Sequence, residues 1–236
     1  MRPLLNKPIK NHLNNNQGFT LLEILVALVL VSVVLGITIT GSFSSRGNLE
    51  KDVGNIERAI RFMTDEAALK NAVVRLHFIL DKDPQEYSVE YGPSDSFILP
   101  PKPEFETKTE SKEEEDKRKK DTKNLNMKFA KVSEFQEKNN ELGTDIKIVG
   151  IATTQSDKLQ EKGEVSLYAF PTGEKDEALV LIASDEDIIS LKVSAFSMKI
   201  ERESHALGKG TGAEKDLAEL QKKVAKEIFE KWAKEK

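Results

Sequence analysis

The chain has 236 residues, 36 basic and 40 acidic side chains, a formal net charge of −4 and no cysteine. That length suits one domain with additions. The lack of cysteine excludes a disulfide scaffold, a thiolate metal site and a cysteine nucleophile. The near balance of charge argues against a generally basic nucleic-acid binder and leaves only a local patch open.

Residues 1–18 are polar and mildly basic, with Arg2, Lys7 and Lys10 and no acid. Phe19-Thr20-Leu21-Leu22-Glu23 follows, and from Ile24 to Ile37 only Ser32 and Gly36 are neither bulky apolar nor alanine. As a helix, Phe19–Phe43 spans about 38 Å, enough to cross a hydrocarbon core of ~30 Å. The basic end is expected to stay cytoplasmic and the remainder to be exported. A cleaved signal peptide and a plain anchor are the two ordinary readings. A signal peptide carries a shorter apolar region followed by a small-x-small site, whereas the glycine step here, Gly18-Phe19, precedes the run. A plain anchor has no need of Glu23 near its start, because a carboxylate at mid-membrane costs about 2.5–3.5 kcal/mol. Cleavage after Gly18 frees an amine on Phe19, and that positive group can pair with Glu23 of a neighbouring helix.

Gly18-Phe19-Thr20-Leu21-Leu22-Glu23 ahead of a long apolar helix resembles the class III signal of type IV pilins and type II secretion pseudopilins. The resemblance implies that a prepilin peptidase cuts between Gly18 and Phe19 and N-methylates Phe19. It implies that Glu23 sets register as subunits assemble into a helical filament. It also implies a single-pass inner-membrane protein with its globular part in the periplasm, packed beside other pseudopilins or pilins and served by the assembly platform of a secretion machine. Without residues 1–18 the chain carries about −7, which counts further against DNA as a partner.

Farther along, Gly41, Ser42, Ser44, Ser45 and Gly47 predict a bend or a melted stretch, since glycine costs about 1 kcal/mol inside a helix. Periodicity then resumes. Leu49, Val53, Ile56, Ile60, Met63 and Ala67 form one apolar stripe, with Glu50, Asp52, Glu57, Arg58, Arg61 and Asp65 on the opposite face. The stripe is expected to be core, packed on a sheet.

After Asn71 the pattern turns to β. Val73–Leu80, a turn at Asp81–Pro84 and the alternating Tyr87–Tyr91 read as a hairpin. Later strand candidates are Ile146–Ile151, Glu164–Phe170, Ala178–Ala183, Ile188–Val193 and Phe196–Ile200, with a turn at Pro171-Thr172-Gly173. Six or seven strands without intervening helices give an antiparallel sheet or small β-sandwich. A helix ending in Asn71-Ala72-Val73-Val74-Arg75-Leu76 and the strand Val165–Phe170 running into Pro171-Thr172-Gly173 resemble the GspH/FimT family of minor pseudopilins and pilins. Asp185-Glu186-Asp187 lacks the glycine turn and ligand spacing of a calcium loop and reads as a solvated turn.

Two segments depart from that family pattern. Glu106–Lys123 holds seven acids and seven bases in 18 residues and no bulky apolar side chain. A flexible loop over 101–141 is the default. A solvated helix is the alternative, because Glu113-Glu114-Glu115 closely precedes Lys117, Lys119 and Lys120. Phe129, Val132 and Phe135 are spaced to tack the end of the insert onto the body. The basic cluster Lys117-Arg118-Lys119-Lys120 sits beside four acids, which disfavours a nucleic-acid patch. At the other end, Gly208–Gly212 reads as a hinge without phosphate-loop spacing. Ala213–Lys236 then forms an amphipathic helix with the stripe Leu217, Leu220, Val224, Ile228 and Trp232, and Phe229 beside it. That helix packs on its own domain, docks on a partner, or lies on a membrane surface.

His12, His77 and His205 form no metal-ligand spacing, no G-x-S-x-G elbow occurs, and the carboxylates sit in charged surface runs. No catalytic, metal or cofactor site is legible. The fold expected is α+β and pilin-like: a long N-terminal helix packed on an antiparallel β-sheet or β-sandwich, plus a C-terminal amphipathic helix. The boundaries expected are a leader at 1–18, an assembly helix at 19–43, its amphipathic half at 44–72, a β domain at 73–203, a hinge at 204–212 and the last helix at 213–236. The function this implies is that of a minor pseudopilin of a type II secretion system. The alternative is a FimT-like minor pilin acting in pilus assembly or DNA uptake.

Overall fold

The computed structural model describes residues 20–93, 112–135, 140–154, 158–208 and 214–235, with the side chains of 34–45, 112–116, 118–119, 134 and 214–216 outside that description. The chain divides into two compact units, Met1–Gly41 and Ser42–Lys236. Helix α1 (Leu21–Lys70) enters the second of these. Its backbone is helical through 41–47, so the melted stretch expected there is absent. A cost of about 1 kcal/mol per glycine weakens a long helix without ending it. What ends it is Asn71, in the left-handed region at φ 51°. The N–H of Ala72 reaches back to the carbonyl of Ala67 at 3.2 Å, closing a Schellman-type cap.

The second unit holds two antiparallel four-stranded sheets. Sheet A has the order β3-β2-β1-β5, built from β1 (Val74–Ile79), β2 (Glu86–Tyr91), the two-residue β3 (Ala130–Lys131) and β5 (Glu164–Ala169). Sheet B has the order β4-β6-β7-β8, built from β4 (Lys147–Thr153), β6 (Ala178–Ala183), β7 (Asp187–Val193) and β8 (Ile200–Ala206). The α+β class and the β1–β2 hairpin match the pattern read from sequence, with β1 and β2 paired from Val74↔Tyr91 to Ile79↔Glu86.

All six stripe residues of α1, Leu49 to Ala67, are fully buried. They share one core with the inner faces of both sheets, Val74, Leu76, Phe78 and Leu167 on sheet A and Val180, Ile182, Leu191 and Val193 on sheet B. Gln85 joins the sheets. Its Oε1 accepts from the Ile148 N–H at 2.6 Å, and its Nε2 donates to the carbonyls of Leu80 and Ile148. A bulge at Ile148/Gly150 re-phases β4. Gly150 makes room there for Leu159, whose side chain a Cβ would meet at 2.5 Å and have to displace.

Three further expectations need correction, and one left open is resolved. Asp52, placed on the solvated face, is buried, and its Oδ2 accepts from the Gly143 N–H at 2.8 Å. Burial raises its pKa, with the Gly143 bond opposing. A short polar side chain that finds a backbone donor satisfies burial without disturbing the helical pattern.

The strand expected at Phe196–Ile200 is instead Ile200–Ala206. Lys175 holds the preceding loop by donating its N–H to the carbonyl of Ala195 and its Nζ to that of Ser197. This leaves Phe196 80% exposed. The true strand is an edge whose charged residues hide its alternation, and its backbone pairing to β7, not apolar burial, defines it. Residues 204–207, expected to open the hinge, belong instead to β8, which runs to Ala206, and to the buried Leu207, while 209–213 lie outside the described residues.

The charged insert, expected by default to be a loop, contains helix α2 (Lys112–Asn126). Its sequence sets Glu113, Glu114, Glu115 and Asp116 each four residues before a base, the favourable orientation for a solvated helix. Positions 101–111 and 136–139 of that insert lie outside the described residues.

The last helix, α3 (Glu214–Lys234), packs in cis. Ala225, Ile228 and Trp232 are buried against Ala152, Leu179, Leu181, Ala183 and Ile188 on the outer face of sheet B. The stripe that was free to meet a partner or a membrane is consumed within the chain.

Candidate functional site

The start of α1 is built by Thr20. Its Oγ1 accepts from the Glu23 N–H at 3.2 Å, and its carbonyl accepts from Glu23 and Ile24 at 3.1 and 3.2 Å. Thr20-Leu21-Leu22-Glu23 is therefore an N-cap with an acid at the third helical position, the sequence of a capping box. The helix dipole favours a carboxylate there. This gives Glu23 a local reason to exist, one that the sequence reading passed over although the S/T-x-x-E spacing was visible. It does not displace a second role, because the Glu23 side chain remains exposed.

From Leu21 to Val33 every described side chain is exposed, among them Leu21, Leu22, Ile24, Leu25, Leu28 and Leu30. A helix apolar on all sides needs lipid or other helices around it. Ser32 turns its hydroxyl back onto the Leu28 carbonyl at 2.8 Å, so this polar group makes no demand on the surroundings. Among the described residues no helix is long and apolar enough to cross a membrane. The expected span, Phe19–Phe43, begins and ends outside the described side chains, which run only from Thr20 to Val33 at this end. Gly18 and Phe19, the expected cleavage and methylation residues, also lie outside them.

Elsewhere, alternation puts Arg75, His77, Ser88, Glu90, Glu164, Ser166 and Tyr168 on the outer face of sheet A. Arg75 is 2% exposed. Its Nε and Nη2 donate to Glu90 Oε2 at 2.8 and 2.6 Å, Glu90 Oε1 accepts from Ser88, and the Phe129 ring lies 4.0 Å over the guanidinium. His77 Nδ1 meets Ser166 Oγ at 2.8 Å, and His77 Nε2 stands 3.6 Å from Glu164 Oε2. Burial, then Arg75, lowers the His77 pKa, with Glu90 and Glu164 opposing and Lys131 adding to the drop.

This cluster was missed from sequence. Its signal was the period-two placement of Arg75 and His77 opposite Tyr168 and Ser166 in register. Serine, histidine and glutamate meet in a row, but the histidine–glutamate gap exceeds hydrogen-bond range, and Asn126 Nδ2 already occupies the glutamate oxygen. The row behaves as a structural network. Among the described residues no group of His, Asp and Glu is placed to hold a metal, and Asp185-Glu186-Asp187 forms the β6–β7 turn closed by Ser184.

Residues 13–39 match the prokaryotic N-terminal methylation motif. Over 58 residues the chain is 36% identical to the type II secretion system protein H of Pseudomonas aeruginosa, covering 24% of this chain and 34% of that protein. The match thus spans about a third of that curated relative. Both findings support the resemblance to GspH-like pseudopilins. No solved structure matches the chain.

Proposed function

We propose that the chain is a minor pseudopilin of a type II secretion system, a structural subunit of a periplasmic pseudopilus that drives export of folded proteins. The observation that carries this reading is the capped, all-round apolar start of α1 bearing Glu23 inside the methylation motif. Residues 1–18 act as the leader, prepilin peptidase cuts between Gly18 and Phe19 and methylates the new Phe19 amine, and the helix from Phe19 to Phe43 holds the protein in the inner membrane. The globular part then lies in the periplasm. During assembly Glu23 pairs with the Phe19 amine of a neighbouring pilin-like subunit, a charge-assisted contact that only one register satisfies. The work is structural, not enzymatic.

The test uses Glu23→Ala and Glu23→Gln in a strain lacking the native chain. Both are expected to be cleaved normally, while exported proteins accumulate in the periplasm and natural transformation is unchanged. Normal secretion with Glu23→Ala defeats the register role. Intact secretion with collapsed transformation assigns the chain to DNA uptake instead.

A further inference from the structure

The described part of the insert, Lys112–Phe135, is fastened to the body at two places of different character. Its inner end is anchored in the core. Val132 is buried with its N–H on the Val89 carbonyl at 2.9 Å, and Phe135 stacks on Phe62 at 5.0 Å. Farther out, β3 contributes two residues to β2, with Lys131 opposite Glu90. At the end of α2, Asn126 bridges two strands. Its Oδ1 accepts from Arg75 Nη1 at 2.8 Å and its Nδ2 donates to Glu164 Oε2 at 2.6 Å. That same glutamate oxygen is the one 3.6 Å from His77 Nε2.

We propose that Lys112–Lys131 is a latch over the outer face of sheet A, with Asn126 as its clasp, and that protonation of His77 opens it by drawing Glu164 away from Asn126. The chemistry follows from who faces His77. An imidazolium needs a charge-assisted acceptor, which a shift of roughly 1 Å by Glu164 on β5 supplies. Glu90 on β2 is held by two bonds from Arg75. Ser166 keeps its bond to Nδ1 in either state, because a hydroxyl donates or accepts. The new charge also stands beside Arg75 on β1 and Lys131 on β3, and Lys131 rides on the latch. Loss of the Glu164 acceptor and repulsion of Lys131 therefore act in the same direction. The seat is fitted to the latch as well, since a Cβ at Gly92 would meet the Phe129 ring at 3.1 Å. The inference concerns the globular part alone and does not rest on the assembly reading.

The chain has no native cysteine, so spin labels at Asp81→Cys and Lys120→Cys in the full-length protein in detergent report the distance between the β1–β2 turn and α2. One narrow distance is expected at about pH 8. On acidification to about pH 5, a longer and broader population should grow, with a midpoint below the ordinary histidine value of ~6.5. Trp232, the single tryptophan, sits on α3 and should keep its emission throughout. His77→Gln should hold the short distance at both pH values, and Asn126→Ala should show the long population already at about pH 8. The latch is overturned by a short distance at both pH values in the parent, by opening that persists in His77→Gln, or by a Trp232 shift that accompanies opening and marks general unfolding. If His77→Gln does not fold, Glu164→Gln serves, since it keeps an acceptor for Asn126 and removes the charge that draws His77. Undiminished opening in that variant defeats the mechanism.

Discussion

Helix α3 lies along the outer face of sheet B, whereas α2 is exposed along its described length and meets the outer face of sheet A only through its C-terminal end and the residues that follow it, and the two attachments are held by different physics. Under α3 the face is apolar, and Ala225, Ile228 and Trp232 bury themselves on Leu179, Leu181 and Ile188. Fully burying one large apolar side chain is worth about 1.5–3 kcal/mol. On sheet A the outer face carries a buried ion pair and a histidine, and α2 is tied to it near its end by Asn126, with Phe129 close behind. Hydrogen bonds to charged groups, as both of Asn126's are, contribute about 1.5–3 kcal/mol each, and a ring over a guanidinium about 0.5–2. One cover is a permanent part of the core. The other is a fastening whose strength depends on charge state.

The largest effect should come from breaking the apolar cover. Trp232→Ala is expected to cost about 3–5 kcal/mol, read by urea denaturation followed by far-ultraviolet circular dichroism, and to raise hydrogen exchange along α3 while α2 keeps its protection. A loss below about 1 kcal/mol would place α3 among weakly held appendages and erase the contrast.

Next comes the charged face. Arg75→Met leaves Glu90 buried without its cation, although Ser88 still donates to it, so a loss of about 3 kcal/mol is expected. The double variant Arg75→Met/Glu90→Leu should recover most of that loss, because an apolar pair of similar volume avoids both desolvation penalties. The same double variant removes one of Asn126's two partners, so it should stay folded while α2 exchanges faster. If the single and double variants are equally unstable, Arg75 matters for packing under Phe129 and not for its charge.

The two covers also differ in what the sequence discloses. The α3 stripe is a helical period of apolar residues, which reports burial directly, and it stayed ambiguous only because periodicity does not name the surface that accepts it. The α1 stripe was legible for the same reason. Sheet A's outer face was not. Arg75, His77, Glu90 and Glu164 read as the solvated side of amphipathic strands, and only the register that sets His77 opposite Ser166, with a distant Asn126 placed above, turns them into a buried network. Asp52 and β8 were missed on related grounds, since hydrogen bonding and backbone pairing, not apolar period, decided their places. Thr20 is the opposite case. Its capping role lay in plain sight three residues from Glu23, inside a motif that drew attention to assembly first.

The smallest expected effect separates the two faces by pH. Asp176 Oδ2 accepts from the Tyr168 N–H at 2.9 Å, so this carboxyl is fastened to β5 of sheet A, the strand whose Tyr168 ring meets Phe129 edge-on at 6.1 Å. Burial pushes its pKa up from 3.8 to about 6, with the Tyr168 bond opposing and Glu174 adding. Between those values the folded chain retains a proton that the unfolded chain has lost. Stability from this group is therefore greatest below about pH 4 and falls as pH rises toward 6. His77 has the opposite sign, because a lowered imidazole pKa costs stability as pH drops below ~6.5. Asp176→Asn keeps an acceptor for Tyr168 and removes the charge. Relative to it, the parent should lose stability between pH 4 and 6 by no more than about 3 kcal/mol, measured by denaturation of both proteins across that interval. The slope should vanish in the variant, leaving only the fall on the acid side that His77 produces. A parent and variant with parallel profiles would mean that water reaches Asp176, and that His77 alone gives the polar cover its dependence on proton concentration.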